Sequence, residues 1–251
     1  MLGWFDLHLK GIGTGNPKKE IPFETLPNEK LMVYAKGTRD PKVETIAGYA
    51  KKRGAELRAV FLNTKSFDAG LKKKELKNIL RTNEQSDIQK LHTYSTIDGW
   101  DRKVIETTDG KLIPMLYMAP SGKSNSYIII CDPQGKNNIA ISDIEEFKKK
   151  GLGIAIIDLL GTGELVSSKE NQQDKNMVLH TLSRSELWLG KTILGEWVKE
   201  LNLVTKLLKT KYKASKVGID GRKEAGLAAL FLSATEGTPD YTSPGFIKLH
   251  V

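Results

Sequence analysis

The sequence predicts an α/β protein in three layers, a mostly parallel sheet covered by helices on both faces, preceded by an irregular, partly helical segment. Three observations carry this expectation. Tyr127-Ile128-Ile129-Ile130-Cys131 and Gly153-Ile154-Ala155-Ile156-Ile157-Asp158 are near-continuous apolar runs, the pattern of strands buried on both faces of a parallel sheet. Helical patterns alternate with such strands through the second part of the chain. Asp109-Gly110 stands between two strand-like stretches, the strongest short-range hairpin signal in the chain.

Taken in order, Trp4-Phe5-Asp6-Leu7-His8-Leu9-Lys10 reads as a short apolar helix that runs into the breaker Gly11-Ile12-Gly13-Thr14-Gly15-Asn16-Pro17. Pro22, Pro27 and Pro41 punctuate the next stretch, with one strand expected over Lys30 to Ala35. Helices are expected from about Val43 to Ala59 and from Leu71 to Leu80, where Leu71, Leu76, Ile79 and Leu80 recur at helical spacing. Residues 1–98 thus form the irregular segment, and the sheet domain is expected over 99–251.

Within that domain, Lys103 to Thr107 and Lys111 to Met118 form the hairpin strands. The first apolar strand comes next, then a helix from about Ser142 to Lys150 stopped by Gly151, then the second apolar strand. One long helix is predicted from about Ser185 to Thr210. Leu187, Leu194, Trp197, Leu201, Val204 and Leu208 hold one face of it, with a gap at Gly190-Lys191. A strand at Lys216 to Asp220, a helix at Glu224 to Thr235 and a last strand over Gly245 to Val251 complete the reading.

Composition narrows the function classes. The 251 residues are 39% hydrophobic and 27% charged, ordinary for a globular chain. The lone Cys131 excludes an intrachain disulfide framework and a Cys-clustered zinc site. No apolar run approaches the roughly 20 residues of a membrane span. Lys and Arg number 39 against 30 Asp and Glu, a formal charge of +9, but they spread along the chain. The clusters Lys72-Lys73-Lys74 and Lys148-Lys149-Lys150 fall on the wet sides of expected helices, so nucleic acid is not the expected partner. Gly161-Thr162-Gly163 is too short for a dinucleotide fingerprint and no phosphate loop is present, so no cofactor and no metal is expected.

Ligands of open α/β sheets bind at the carboxyl ends of the strands. Three such junctions are distinctive here: Asp132-Pro133-Gln134-Gly135-Lys136, Asp158-Leu159-Leu160-Gly161-Thr162-Gly163-Glu164, and Gly221-Arg222-Lys223-Glu224-Ala225-Gly226. In this order they resemble the α/β-hydrolase superfamily, and within it the acetyl xylan esterase-like and dienelactone-hydrolase-like carbohydrate esterases, over residues 97–237. Gln134-Gly135 takes the place of that family's His-Gly oxyanion element. The second junction is similar to its Asp-x-Arg-Gly-x-Gly-Glu-Ser loop, with Leu160 for Arg and Leu165 for Ser. The predicted long helix, with Arg184 and Leu194-Gly195, resembles the helix before the nucleophile strand. The third junction aligns with the nucleophile elbow Gly-x-Ser-x-Gly-Gly, flanked here by Gly221 and Gly226 but with Lys223 at its apex. Trp4-Phe5-Asp6-x-His8-Leu9-Lys10-Gly11 is similar to the closing helix of such a hydrolase, so residues 1–11 could end an upstream domain of a tandem protein.

The resemblance implies an incomplete α/β-hydrolase-like sheet lacking its last strands, since residues 99–251 fall short of the roughly 200–250 residues such domains take. It also implies a bacterial carbohydrate-esterase setting, secreted or periplasmic for a longer esterase, although no signal peptide opens this sequence. Polysaccharide or acetylated sugar is the implied ligand, and a second copy or an adjacent hydrolase domain the implied protein partner. Ester hydrolysis at an elbow needs a hydroxyl or thiol that a His activates. Lys223 is neither, and it reads as a solvated residue on a disabled elbow. Asp240 and His250 are the literal candidates for a following acid and His, but the first comes too early and the second lies inside an expected strand. Ser183, Ser185 and Ser233 read as helix serines, His180 as a loop residue able to line the cleft, and Asp158 as a cap that positions its turn. The expected function is an esterase-like protein without esterase activity. The alternatives are a hydrolase with a relocated or partner-supplied nucleophile, and a carbohydrate- or protein-binding accessory module.

Overall fold

A computed structural model describes residues 2–19, 22–34, 40, 42–64, 66–166 and 178–245. The chain divides into two compact units, Met1–Phe67 and Asp68–Val251. The first holds α1 (Leu2–Lys10), the single turn α2 (Asn28–Leu31) and α3 (Ile46–Asn63). Gly11, at φ 66°, ends α1: its N–H and that of Ile12 donate to the carbonyls of Leu7 and Asp6, both at 3.0 Å. The helix α3 starts where Thr45 accepts from the Gly48 N–H at 3.0 Å. The expected strand at Lys30 to Ala35 does not form: its first residues close α2, Met32 to Tyr34 are irregular, and Ala35 lies outside the described residues.

The second unit carries α4 (Ala69–Leu80) and a seven-stranded sheet of β1 (Ile88–Thr93), β2 (Asp101–Thr107), β3 (Leu112–Met118), β4 (Ser126–Cys131), β5 (Gly153–Ile157), β6 (Lys216–Arg222) and β7 (Tyr241–Gly245). Their order is β1-β2-β3-β5-β4-β6-β7. The helices of the parallel half are α5 (Ile141–Lys149), α6 (Val178–Trp188), α7 (Ile193–Thr210) and α8 (Lys223–Thr235).

Only β5, β4, β6 and β7 run parallel to one another; β1, β2 and β3 are antiparallel, and β3 meets β5 antiparallel. The sheet is therefore mixed rather than mostly parallel. Tight hairpins can join only antiparallel neighbours, and the Asp109-Gly110 turn, closed by the Thr107 N–H on the Lys111 carbonyl at 2.9 Å, makes one between β2 and β3. The strand β1 was not legible: Ile88-Gln89-Lys90-Leu91-His92-Thr93 carries too little apolar alternation, and pairing with β2 supplies its order.

Alternation explains the two apolar runs. Ile129, Cys131, Ala155, Ile157, Val217 and Ile219 turn to the face covered by α7 and α8, with Trp197, Leu201, Val204 and Leu208 above them. Ile128, Ile130, Ile154 and Ile156 turn to the other face, beneath Ile144 and Phe147 of α5. Each such buried side chain contributes about 1.5–3 kcal/mol relative to exposure, so this double-sided centre is the stable part of the unit.

The predicted long helix is two. Gly190, at φ 73°, breaks it, and Thr192 starts α7 anew by accepting from the Gly195 N–H at 3.0 Å. Gly195 has no room for a side chain, because a Cβ there would run into the Leu80 carbonyl. The lysine clusters lie on solvated helices and pair locally: Lys72 with Glu75, Lys148 with Glu145, Lys150 with Glu146. Among the described residues no helix is long and apolar enough to cross a membrane. The last expected strand shifts forward, to β7, and residues 246–251 lie outside the described residues.

Candidate functional site

The parallel register brings the three junctions side by side. Ile130 pairs with Ile156 on one flank and Asp220 on the other, and Cys131 pairs with Gly221. All three loops therefore emerge at one edge of the sheet.

At the third junction β6 turns directly into α8. Lys223 sits there at φ 46°, the left-handed region that non-glycine residues avoid. A Cβ on Gly221 would approach the Ala225 carbonyl oxygen to 2.7 Å and the Gly226 Cα to 2.8 Å, so the turn can be this tight only with glycine below it. This is the backbone of an elbow, a strained strand-to-helix turn that lifts one side chain off the sheet. The side chain lifted is an exposed lysine. Next to it, Arg222 reaches across to α5: its Nη2 donates to Asp220 Oδ2 at 2.8 Å and to Asp143 Oδ2 at 2.9 Å. No side chain caps the start of α8.

At the first junction the backbone N–H of Gln134 donates to Asp132 Oδ1 at 2.7 Å, and Asn138 Nδ2 donates to Asp132 Oδ2 at 2.9 Å. The Gln134 N–H is thus already spent on its own turn, while the Gln134 side chain is exposed. Gly135, at φ 89°, lies against the backbone of Gly163.

The second junction is locked around Asp158, which is fully buried. Its Oδ1 accepts from the Lys136 N–H at 2.7 Å and its Oδ2 from the Glu164 N–H at 3.0 Å. The Lys136 ammonium, itself nearly buried, pairs with both Asp158 and Glu164. Behind the loop, α7 grips Leu160 twice: Trp197 Nε1 donates to its carbonyl and its N–H donates to Glu200 Oε2, both at 2.9 Å. Burial pushes the Glu200 carboxyl up to about 8, the Leu160 N–H opposing that rise. Sequence reasoning missed Lys136, Glu200 and the Arg222–Asp220–Asp143 group. Lys136 had a signal in its place in the first junction, and Glu200 a weaker one in its spacing to Trp197 and Val204 of the apolar stripe; Asp143 looks like an ordinary helix-surface acid until the fold places it.

Helix α6 packs against the second junction through Leu179 and Leu182 beside Gly161, but among the described residues none of the other candidates bonds to the junction side chains. His180 is an exposed residue of α6 rather than of a loop. Ser185 and Ser233 donate to the carbonyls of Thr181 and Ala229, four residues back in their own helices, and Ser183 is half-buried in α6. Asp240 lies before β7, its Oδ2 accepting from the Val217 N–H at 2.8 Å and pairing with Lys209 at 3.0 Å, at the opposite end of β6 from the elbow. His250 is outside the described residues. Cys131 has no exposure at all, and burial pushes its thiol up, away from the thiolate. The described residues hold no group of three or more His, Cys, Asp or Glu placed to bind a metal ion.

No protein-family model matches the sequence, and no curated protein matches it. Solved structures do. A protein assigned as an acetyl xylan esterase of Bacteroides fragilis superposes with a TM-score of 0.55 at 14% identity, over 81% of this chain and 61% of its own. The acetyl xylan esterase of Paenibacillus sp. R4 gives 0.46 at 14% identity, over 72% and 60%. Acetyl xylan esterase 1 of Thermoanaerobacterium sp. gives 0.45 at 13% identity, over 70% and 56%. The chain thus spans about three fifths of the length of these structures. Its fold is that of an acetyl xylan esterase-like α/β-hydrolase.

Proposed function

We propose that this chain is an esterase-like α/β-hydrolase that keeps the elbow backbone without ester hydrolysis, and that it serves as an accessory module beside an active carbohydrate esterase. One observation carries the reading: the elbow's strained turn presents Lys223, which is exposed. Turnover of an ester at an elbow needs a hydroxyl or thiol nucleophile with a base beside it, because an amine that attacked would be left as a stable amide. Burial is what favours a lysine amine as a nucleophile, and Lys223 is exposed. The first junction adds support, because the Gln134 N–H, at the place of the family's oxyanion element, already donates to Asp132.

The rival reading is a hydrolase with a relocated serine. Ser185 and Ser233 speak against it, since each hydroxyl lies within hydrogen-bond distance of a carbonyl four residues back in its own helix. A fluorophosphonate probe, with adducts located by mass spectrometry, decides between them. No serine of the folded chain should be labelled; one stoichiometrically labelled serine, left unlabelled when the chain is denatured before the probe is added, establishes the rival. The acetylated polysaccharide that the neighbours' names imply is, for this chain, a ligand of the associated domain rather than a substrate.

A further inference from the structure

A cavity of about 260 Å³ opens on the β2–β3 side of the second junction and has no part in the elbow. It is smaller than the roughly 300–1,000 Å³ of drug-sized sites, the scale of one sugar ring rather than a chain. Its floor is apolar and fixed by register: Val104 pairs with Pro114 and Arg102 with Leu116, two rungs apart, or about 7 Å. Tyr94 stands at the rim, more than half exposed. The Pro114 rung adjoins the Asp158 loop, since the Asp158 N–H donates to the Pro114 carbonyl at 3.1 Å, and Lys136 and Glu164 complete that end.

The charges in the wall are unevenly matched. Lys136 is paired with Asp158 and Glu164. Lys103 is paired with Asp101 at 3.1 Å and lies over the Tyr117 ring. Arg102 alone has no carboxylate partner among the described residues. Its Nε donates to the Ser95 carbonyl at 2.9 Å and its Nη2 to Ser95 Oγ at 2.7 Å. Two of five N–H groups thus hold the guanidinium still, and both Nη1 protons remain to bind. A preorganised guanidinium without an anion is built for a carboxylate. The opposite end offers Glu164, two-thirds exposed and an acceptor for hydroxyl groups.

We propose that this cavity binds a monosaccharide-sized polyhydroxy carboxylate, a hexuronic acid in chemical class. The carboxylate sits on Arg102, the ring C–H face on Val104, Pro114 and Leu116 beside Tyr94, and the hydroxyls on Lys136 and Glu164. The site does not depend on the loss of ester hydrolysis, because no elbow residue enters it.

Calorimetric titration of the full chain with glucuronate tests this, with glucose, acetate and glutamate as comparison probes. Saturable 1:1 binding of glucuronate is expected, at least tenfold tighter than that of any comparison probe. Arg102→Met should weaken it at least tenfold, Leu116→Trp should abolish it by filling the floor, and Lys223→Ala should leave it unchanged. In the unsubstituted chain, glucuronate should shift the backbone amide resonances of Arg102, Val104 and Leu116, which keeps the test decisive should a variant fail to fold. Absence of binding, equal binding of glucose, tighter binding of glutamate, or shifts confined to the elbow each overturns the assignment.

Discussion

Lys223 and Gly221 set the character of the elbow, one by the conformation it endures and the other by the space it leaves empty. A left-handed backbone costs a non-glycine residue about 1–2 kcal/mol. Lys223→Gly should therefore raise stability by about 0.5–1 kcal/mol once the added chain entropy is counted, whereas Lys223→Ala should not. Gly221→Ala should lower it by about 1–3 kcal/mol, because the new methyl must push against the Ala225 carbonyl and the Gly226 backbone. Urea midpoints of the three variants check both signs; a destabilised Lys223→Gly would show that the turn is not under the strain its φ implies. At this scale the sequence was informative in an unusual way. The glycines around position 223 announce a tight turn whatever residue sits at its apex, so the elbow was legible although a lysine stands where a hydroxyl or thiol was looked for. Glu200 was missed although it stands three residues after Trp197 and four before Val204 of the apolar stripe, because an acid at the flank of such a stripe reads as solvated.

The elements that hold the site in place are the loop after β5 and the helix α7 that grips it. Glu200 is the contact with a pH signature. Its carboxyl is raised to about 8 in the fold, chiefly by burial, against an ordinary value of 4.5. The native state therefore keeps a proton that the unfolded chain releases, so this contribution is fully present below about pH 4.5 and is lost as pH rises towards 8. Asp109, lowered to about 2 despite desolvation because Thr107 and Lys111 hold its charge, acts in the opposite sense below pH 4 and does not confuse that window. Stability should fall between pH 5 and pH 8 in the unsubstituted chain, and Glu200→Gln should flatten the slope while keeping an acceptor for the Leu160 N–H. Urea unfolding at the two pH values measures this; an unchanged slope in the variant would assign the effect elsewhere. The break between α6 and α7 belongs to this scale too. Gly190-Lys191 interrupted the apolar stripe, yet periodicity on both sides hid the restart, which Thr192 fixes through a cap and a bond to the Leu80 carbonyl at 2.8 Å.

Over the whole molecule, β4 and β5 at the centre of the sheet were legible because they are buried on both faces and so are written as unbroken apolar runs, whereas β7, with an exposed Tyr241, falls earlier than its expected place. The sheet's antiparallel half was only half legible: the Asp109-Gly110 hairpin announced β2 and β3, whereas β1 owes its order to pairing with β2 rather than to an apolar pattern of its own. The three junctions were legible as an ordered set and could be placed side by side only by register. Together they make an elbow-bearing cleft edge in which the expected nucleophile is a solvated amine and one expected oxyanion donor is committed elsewhere. Steady-state hydrolysis of p-nitrophenyl acetate by the full chain, beside Lys223→Ala, tests most directly the proposal that the elbow does not hydrolyse esters. Both proteins should release nitrophenol at the same slow rate as an unrelated lysine-rich protein at equal concentration. Saturable turnover by the unsubstituted chain that Lys223→Ala abolishes would contradict it.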